Sequence, residues 1–252
     1  MKKYFLCICL CMLMLCGCSF SGGNGGETDA ADVPGSVFSG RVAAVEHDTA
    51  YLSGDEGGDL ISLSLKEIAI TNETGDTLAA EDVRGGMTVE VAFDGMIMES
   101  YPSMLSNPTK LTIEKQGWDV VGLYRQAIRD IYEEDPGLNG NTYAAFDLKK
   151  AANLTEGEKS ALIYLVGNDL KLETLSGTME SLAEEGYIDE ENLFFEDGVL
   201  ITIGDEEPDK EGNFSFDIQK WRSGIGAIFY QDCRATWDGE AYSYEVGGFA
   251  IS

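Results

Sequence analysis

Residues 118–137, WDVVGLYRQAIRDIYEEDPG, mark where the chain changes from one pattern to another. Val121, Tyr124, Ile128 and Ile131 recur at spacings of three, four and three, which places them on one face of an α-helix. Asp135-Pro136-Gly137 ends that helix, because proline cannot continue it and glycine suits the turn that leaves it. On the N-terminal side, back to about residue 36, the pattern is one of short strands. The spacing predicts strands at Val37–Glu46, Ala50–Ser53, Leu60–Leu65, Met87–Phe93 and Lys110–Glu114. Two alternate cleanly: Ile61, Leu63 and Leu65 oppose Ser62 and Ser64, and Val89, Val91 and Phe93 oppose Thr88 and Glu90. Turn chemistry separates them at Gly54–Asp59, Asn72–Asp76 and Gly85-Gly86. Five short strands in about 80 residues suit a small, closed, OB-like β-barrel.

On the C-terminal side the reading is α+β. A strand is expected at Tyr143–Leu148. Thr155 and Glu158 form a capping box, in which each side chain satisfies the other's free backbone N–H, so a helix runs from there through Val166. A short third helix starts at Thr178, runs through Leu182 and stops at Gly186. Asp197-Gly198 is a hairpin turn pair between expected strands Asn192–Glu196 and Val199–Ile203. A strand at Phe214–Trp221 and a hairpin turning at Asp238-Gly239 complete the chain. A two-residue turn there pairs Trp237 with Glu240, Ala235 with Tyr242 and Cys233 with Tyr244, and leaves Cys233 on a face with Phe229. The expected fold class is therefore α+β: a five-stranded OB-like barrel (36–116) followed by an α+β domain (117–252) with three helices and antiparallel hairpins.

The start of the chain carries a different message. Lys2-Lys3 and the apolar run Tyr4–Leu15 match the charged and hydrophobic parts of a signal peptide, and the run is too short to span a bilayer as a helix. Leu15-Cys16-Gly17-Cys18 follows and resembles the bacterial lipobox. That resemblance implies a signal segment of residues 1–17 and a diacylglycerol on Cys18, with the acyl chains holding the mature chain in the outer face of the plasma membrane. Residues 18–35, rich in Gly and Ser, read as the lipidated cysteine and a flexible tether, with an r.m.s. reach of roughly 23 Å. Of six cysteines, only Cys233 would then remain, so no internal disulfide can form. Loss of Lys2 and Lys3 takes the formal charge from -28 to -30. Such a surface excludes nucleic acid as a partner, since phosphate backbones are bound by basic patches.

Ser39-Gly40-Arg41-Val42, the run Gly85-Gly86-Met87-Thr88-Val89-Glu90-Val91, and Asp94-Gly95 followed by Glu99-Ser100-Tyr101-Pro102 resemble the YobA-like domain of secreted proteins and lipoproteins of Gram-positive bacteria. The resemblance covers about a third of the chain. It implies the barrel and no activity, because that family is one of unknown function.

Few residues suggest chemistry. Lys220, Trp221 and Arg222 form one of few basic spots on an acidic chain. Arginine and indole together can hold an anionic or planar ligand; the alternative is a packed strand end. Cys233 is a nucleophile only with a base nearby, and the single histidine, His47, falls in the other half, so a buried inert thiol is preferred. Asp205, Glu207, Asp209 and Glu211 alternate like the start of a calcium loop but lack its glycine. They leave room for weak divalent-cation binding; no other metal, cofactor or catalytic set is expected. The sequence thus points to a membrane-anchored, non-enzymatic binding module that meets an envelope protein or wall component. The alternative is a hydrolase-like envelope enzyme with its site near Lys220–Ser223.

Overall fold

The computed structural model describes residues 35–55 and 58–252. The expected signal segment, Cys18 and nearly all of the tether lie outside these described residues.

The first sheet contains β1 (Ser36–Glu46), β2 (Thr49–Gly54), β3 (Leu60–Ser64), β4 (Ala69–Asn72), β5 (Thr88–Phe93) and β8 (Lys110–Lys115), in the order β3-β2-β1-β5-β8-β4. A two-stranded ribbon, β6 (Ile97–Met98) with β7 (Met104–Leu105), lies between β5 and β8 in sequence. Neighbours are antiparallel except β4 and β8, which run parallel. The expected alternation holds. Val89, Val91 and Phe93 point inward from β5, and Ile61, Leu63 and Leu65 are buried in the same cluster.

The closed five-stranded barrel expected from the sequence is not seen in the pairing. Among the described residues the path of six strands stays open, and its two ends, β3 and β4, are consecutive in the chain. The strand of this six-stranded sheet missed in the sequence is β4, a piece of only four residues. It lies just beyond Glu67, whose positive φ of 62° turns the chain out of β3 and across to β8. The open edge of β3 is met at Ser103, with Ser62 N donating to Ser103 O and Ser103 N donating to Leu60 O.

A bulge between Val42 and Ala44 lets two successive residues of β1 be buried on opposite sides. Val42 enters the core of the sheet, while Ala43 joins the helical layer. That layer is α1 (Val120–Glu134) and α2 (Glu156–Leu170), lying side by side. The stripe expected on α1, Val121, Tyr124, Ile128 and Ile131, is fully inside. The capping box at Thr155 and Glu158 is present, with Glu158 N donating to Thr155 Oγ1 (3.2 Å) and Thr155 N to Glu158 Oε2 (2.8 Å). Ala43 and Leu60 belong to the same apolar cluster as the helices, so the two expected halves share a core.

The second sheet is built from β9 (Tyr143–Lys150), β10 (Glu173–Ser176), β11 (Gly198–Asp205), β12 (Phe214–Ser223), β13 (Gly226–Trp237), β14 (Tyr242–Glu245) and β15 (Gly248–Ile251). Its order is β10-β9-β11-β12-β13-β14, with β15 also on β13. Helices α1 and α2 cover one face. The short α3 (Met179–Glu184) and the loop bearing Phe195 close over the other, where Ala145, Leu182, Leu200 and Trp221 meet. The class is α+β, with three α-helices among the described residues, as expected.

Two strand expectations fail here. β11 pairs in parallel with β9, and not with residues 192–196 as a hairpin at Asp197-Gly198 requires. The reason is packing: Phe195 folds over Gly198 so closely that a Cβ there would lie 2.1 Å from its ring. Asp197 O, meanwhile, accepts from the backbone N–H of Thr142 and Tyr143 (both 2.9 Å). The final hairpin is also shifted. Trp237 pairs with Tyr242 and Ala235 with Tyr244, which leaves four residues in the turn, and Cys233 faces Phe216 of β12. A bulge centred on Asp232 (φ 50°) then exchanges faces along β13, so Ile228 and Tyr230, and not Phe229, join Cys233 inside.

Candidate functional site

The polar side of α1 follows from the same periodicity as its buried stripe. Asp119, Gly122, Arg125 and Arg129 are spaced three, three and four apart, so they share one flank of the helix. That flank faces the end of β1, His47 in the β1–β2 turn, and the segment Val83–Gly85 that leads into β5. Together they line a cleft of about 690 Å³.

The first arginine builds the cleft wall. Arg125 donates through Nε and Nη2 to the two carboxylate oxygens of Asp169 on α2 (2.6 Å each), and Nη2 also reaches Glu46 of β1. This fork ties α1, α2 and the first sheet together, a geometry that guanidinium supports and ammonium does not. The two carboxylates hold its pKa well above the ordinary value.

The other two arginines are freer. Arg129 donates to Gln126 Oε1 (2.6 Å) and makes no ion pair among the described residues. Arg84 pairs with Glu240 at 3.1 Å, but both groups are largely in water, where such a contact holds weakly. His47 is exposed and has a positive φ of 54°. Asp119 also lines the cleft and caps α1 by accepting from Gly122 N (2.8 Å). Burial raises its carboxyl pKa despite that bond, and repulsion from Glu158 adds to the rise.

On a chain of formal charge -28 this clustering is unusual. A separate cavity along β11 and β12, by contrast, is lined by Asp205, Glu206, Asp217 and Asp232 with Lys150 alone opposing them. An anionic group entering between Arg84 and Arg129 would exchange weak or absent partners for two guanidinium forks, with room left for a larger body behind it.

The residues singled out in the sequence lie elsewhere. Lys220 is completely buried, and its ammonium caps the C-terminal end of α1 by donating to Tyr132 O (2.8 Å), Asp135 O (2.9 Å) and Asn139 Oδ1 (3.0 Å). All three of its protons are therefore engaged. Burial pushes its pKa down to about 8, against the pull of Asp135. Trp221 points to the opposite face and fills the cluster around Phe195. Arg222 donates to Glu196 O (3.0 Å) and lies over the Phe194 ring. The three side chains do not converge on one space, and Arg222 stacks on Phe194 and not on Trp221.

Cys233 is fully buried between β12 and β13, and burial pushes its thiol up to about 11. His47 is not among its neighbours. The acidic loop does not gather either. Asp205 accepts from Tyr124 Oη and from Ala152 N (2.7 Å), while Asp209 accepts from Glu211 N (2.8 Å) and Asn213 N (2.9 Å) within its own turn. Among the described residues no group of three His, Cys, Asp or Glu side chains is placed to hold a metal ion.

Sequence reasoning missed Arg84, Arg125 and Arg129. The spacing of Arg125 and Arg129 on the outer flank of a well-read helix was a usable signal, but Arg84 reaches them only through the fold. Comparison with protein-family models, curated proteins and solved structures finds no match to this chain.

Proposed function

We propose that this chain is a lipid-anchored binding module on the outer face of a bacterial plasma membrane, and that its cleft receives an anionic group of an envelope component. The observation that carries the binding reading is the placement of Arg84 and Arg129, with His47 beside them, around one cleft of an otherwise acidic protein. The anchor reading rests on Lys2-Lys3, the apolar run and the placing of Gly17 and Cys18. Two acyl chains on Cys18 would hold the protein at the membrane where its own negative charge gives no attraction to anionic headgroups. The first sheet is read as an OB-like strand arrangement of YobA type without full closure; the strand order and the parallel seating of β4 on β8 support that reading.

The test is a calorimetric titration with inorganic pyrophosphate and glycerol phosphate at low and moderate salt. Binding should weaken as salt rises, and Arg84→Gln and Arg129→Gln should each weaken it about tenfold, roughly 1.4 kcal/mol. Arg125 is left intact because its fork holds the fold. Equal affinity in the double variant would remove the cleft as the site. Separately, Cys18→Ala should move the protein from the membrane fraction to the medium or block its processing; unchanged sedimentation with membranes would end the anchor reading.

A further inference from the structure

The ribbon β6–β7 is ordered, yet it presents apolar side chains to solvent. Met96, Ile97, Met98, Tyr101 and Met104 are each between 40% and 67% exposed. The ribbon is not loose: Leu105 is buried in the core of the first sheet, Ser103 is bonded in both directions to β3, and the Tyr101 ring meets Tyr164 of α2 edge-on at 5.6 Å. A cluster of exposed thioethers with an aliphatic and a phenol, held on a fixed support, is what an apolar contact surface requires.

Its place in the chain indicates what covers it. Ser36, where β1 begins, is paired with Phe93, and the ribbon starts directly afterwards at Asp94-Gly95. Gly95 packs so closely on Ser36 that a Cβ would lie 2.7 Å from Ser36 Oγ. The chain thus enters the fold beside the ribbon. Only the residues numbered 19–35 separate Cys18 from Ser36 in the sequence, and a coil of that length and Gly/Ser-rich composition would have a reach of roughly 23 Å.

We infer that the β6–β7 ribbon rests in the outer leaflet of the same membrane that holds the acylated Cys18, as a second, reversible contact. The inference rests on the anchor reading above. The ribbon's depth is limited by Glu99 at its turn and by Asp94 at its base. Bonds from Met96 N, Asn107 and Ser106 keep the Asp94 carboxyl below the ordinary carboxylate range, so it stays charged at the headgroup level. With no basic residue in the ribbon, contact comes from side-chain insertion and not from attraction to anionic lipid. One consequence is that the fold is oriented by two points and not one.

The test uses the full, lipidated chain reconstituted in phosphatidylcholine vesicles with and without brominated acyl chains. Ile97→Cys carries an environment-sensitive fluorophore, and Ile225→Cys, 89% exposed in the turn between β12 and β13, serves as the comparison. Cys233 is buried and stays unlabelled in the folded protein. Bromolipid should roughly halve the emission at position 97 and leave position 225 unchanged, as expected for a probe in the interfacial region. An unquenched probe on a chain whose mass includes the diacylglycerol would overturn the ribbon contact and leave the anchor standing. A chain lacking that mass would overturn the anchor, and the ribbon inference with it. Emission that depends on protein-to-lipid ratio and not on bromine would assign the surface to a second copy of the chain, again overturning the inference.

Discussion

Replacing Lys220 by methionine isolates the cost of keeping an ammonium group in the core. The side chain is fully buried at the end of α1, with three oxygens around it and the Tyr132 ring 5.0 Å away. Burial lowers its pKa from 10.5 to about 8. Below pH 8 the folded and unfolded chains both carry the proton. Between about 8 and 10.5 the unfolded chain keeps it while the folded chain has lost it. The unfolded state then binds more protons, so this group makes folding more favourable as pH rises through that window. Each pH unit contributes about 1.4 kcal/mol, or about 3 kcal/mol across the whole window. Other groups titrate there too, Cys233 and several buried tyrosines among them, but they are common to both proteins and cancel in the difference. Urea unfolding of wild type and Lys220→Met, followed by far-ultraviolet circular dichroism at pH 7 and pH 9.5, measures that difference. The variant should be the less stable at pH 7, because Asn139 Oδ1 loses its donor and two helix-end carbonyls lose one each. The gap should widen by about 2 kcal/mol at pH 9.5. A gap that stays constant would mean the charge is held at no cost. That outcome, or a gap that narrows, would refute the reasoning from burial, because only a folded-state pKa below 10.5 makes the two states bind protons differently between pH 7 and pH 9.5.

Two further outcomes follow from packing. Gly86 has φ +81°, and a Cβ there would lie 2.5 Å from the backbone carbon of Trp118, whereas Gly75 has φ +88° with nothing within 4 Å. Gly86→Ala should therefore cost about 3 kcal/mol, from left-handed strain and overpacking together, and Gly75→Ala about 1 kcal/mol from strain alone. Equal losses in thermal unfolding would show that the contact between the Gly85-Gly86 turn and the start of α1 is slack. The Cys233 thiol, raised to about 11 and fully buried, should resist iodoacetamide at pH 8 in the native protein and react completely in urea. Rapid alkylation of the folded chain would contradict its place between β12 and β13.

Local chemistry explains which elements could be read in advance. The strands β1, β2, β3, β5 and β8 each carry alternation or a turn at their ends, and α1 and α2 carry their caps in sequence. In each case the signal lies within a few residues of the element it defines. The failures share the opposite property. Strand β10 reads as nothing in particular, because Glu173–Ser176 becomes a strand only by lying parallel to β9, about 30 residues earlier. The Asp238-Gly239 turn was located correctly, but a four-residue turn in place of two moved every pair along by two, while the faces kept their parity. The bulge at Asp232 then broke that parity where no local signal announces it.

The candidate sites divide in the same way. From residue types and spacing alone came the signal-like pattern of the first residues, the acidic balance and the α+β class, because these depend on composition and short-range pattern. Lys220, which looked like a ligand contact, became a helix cap, and Arg84 became a neighbour of Arg129. Both outcomes depend on distances between residues more than 40 positions apart, and only the packing of α1 against two sheets brings such residues together.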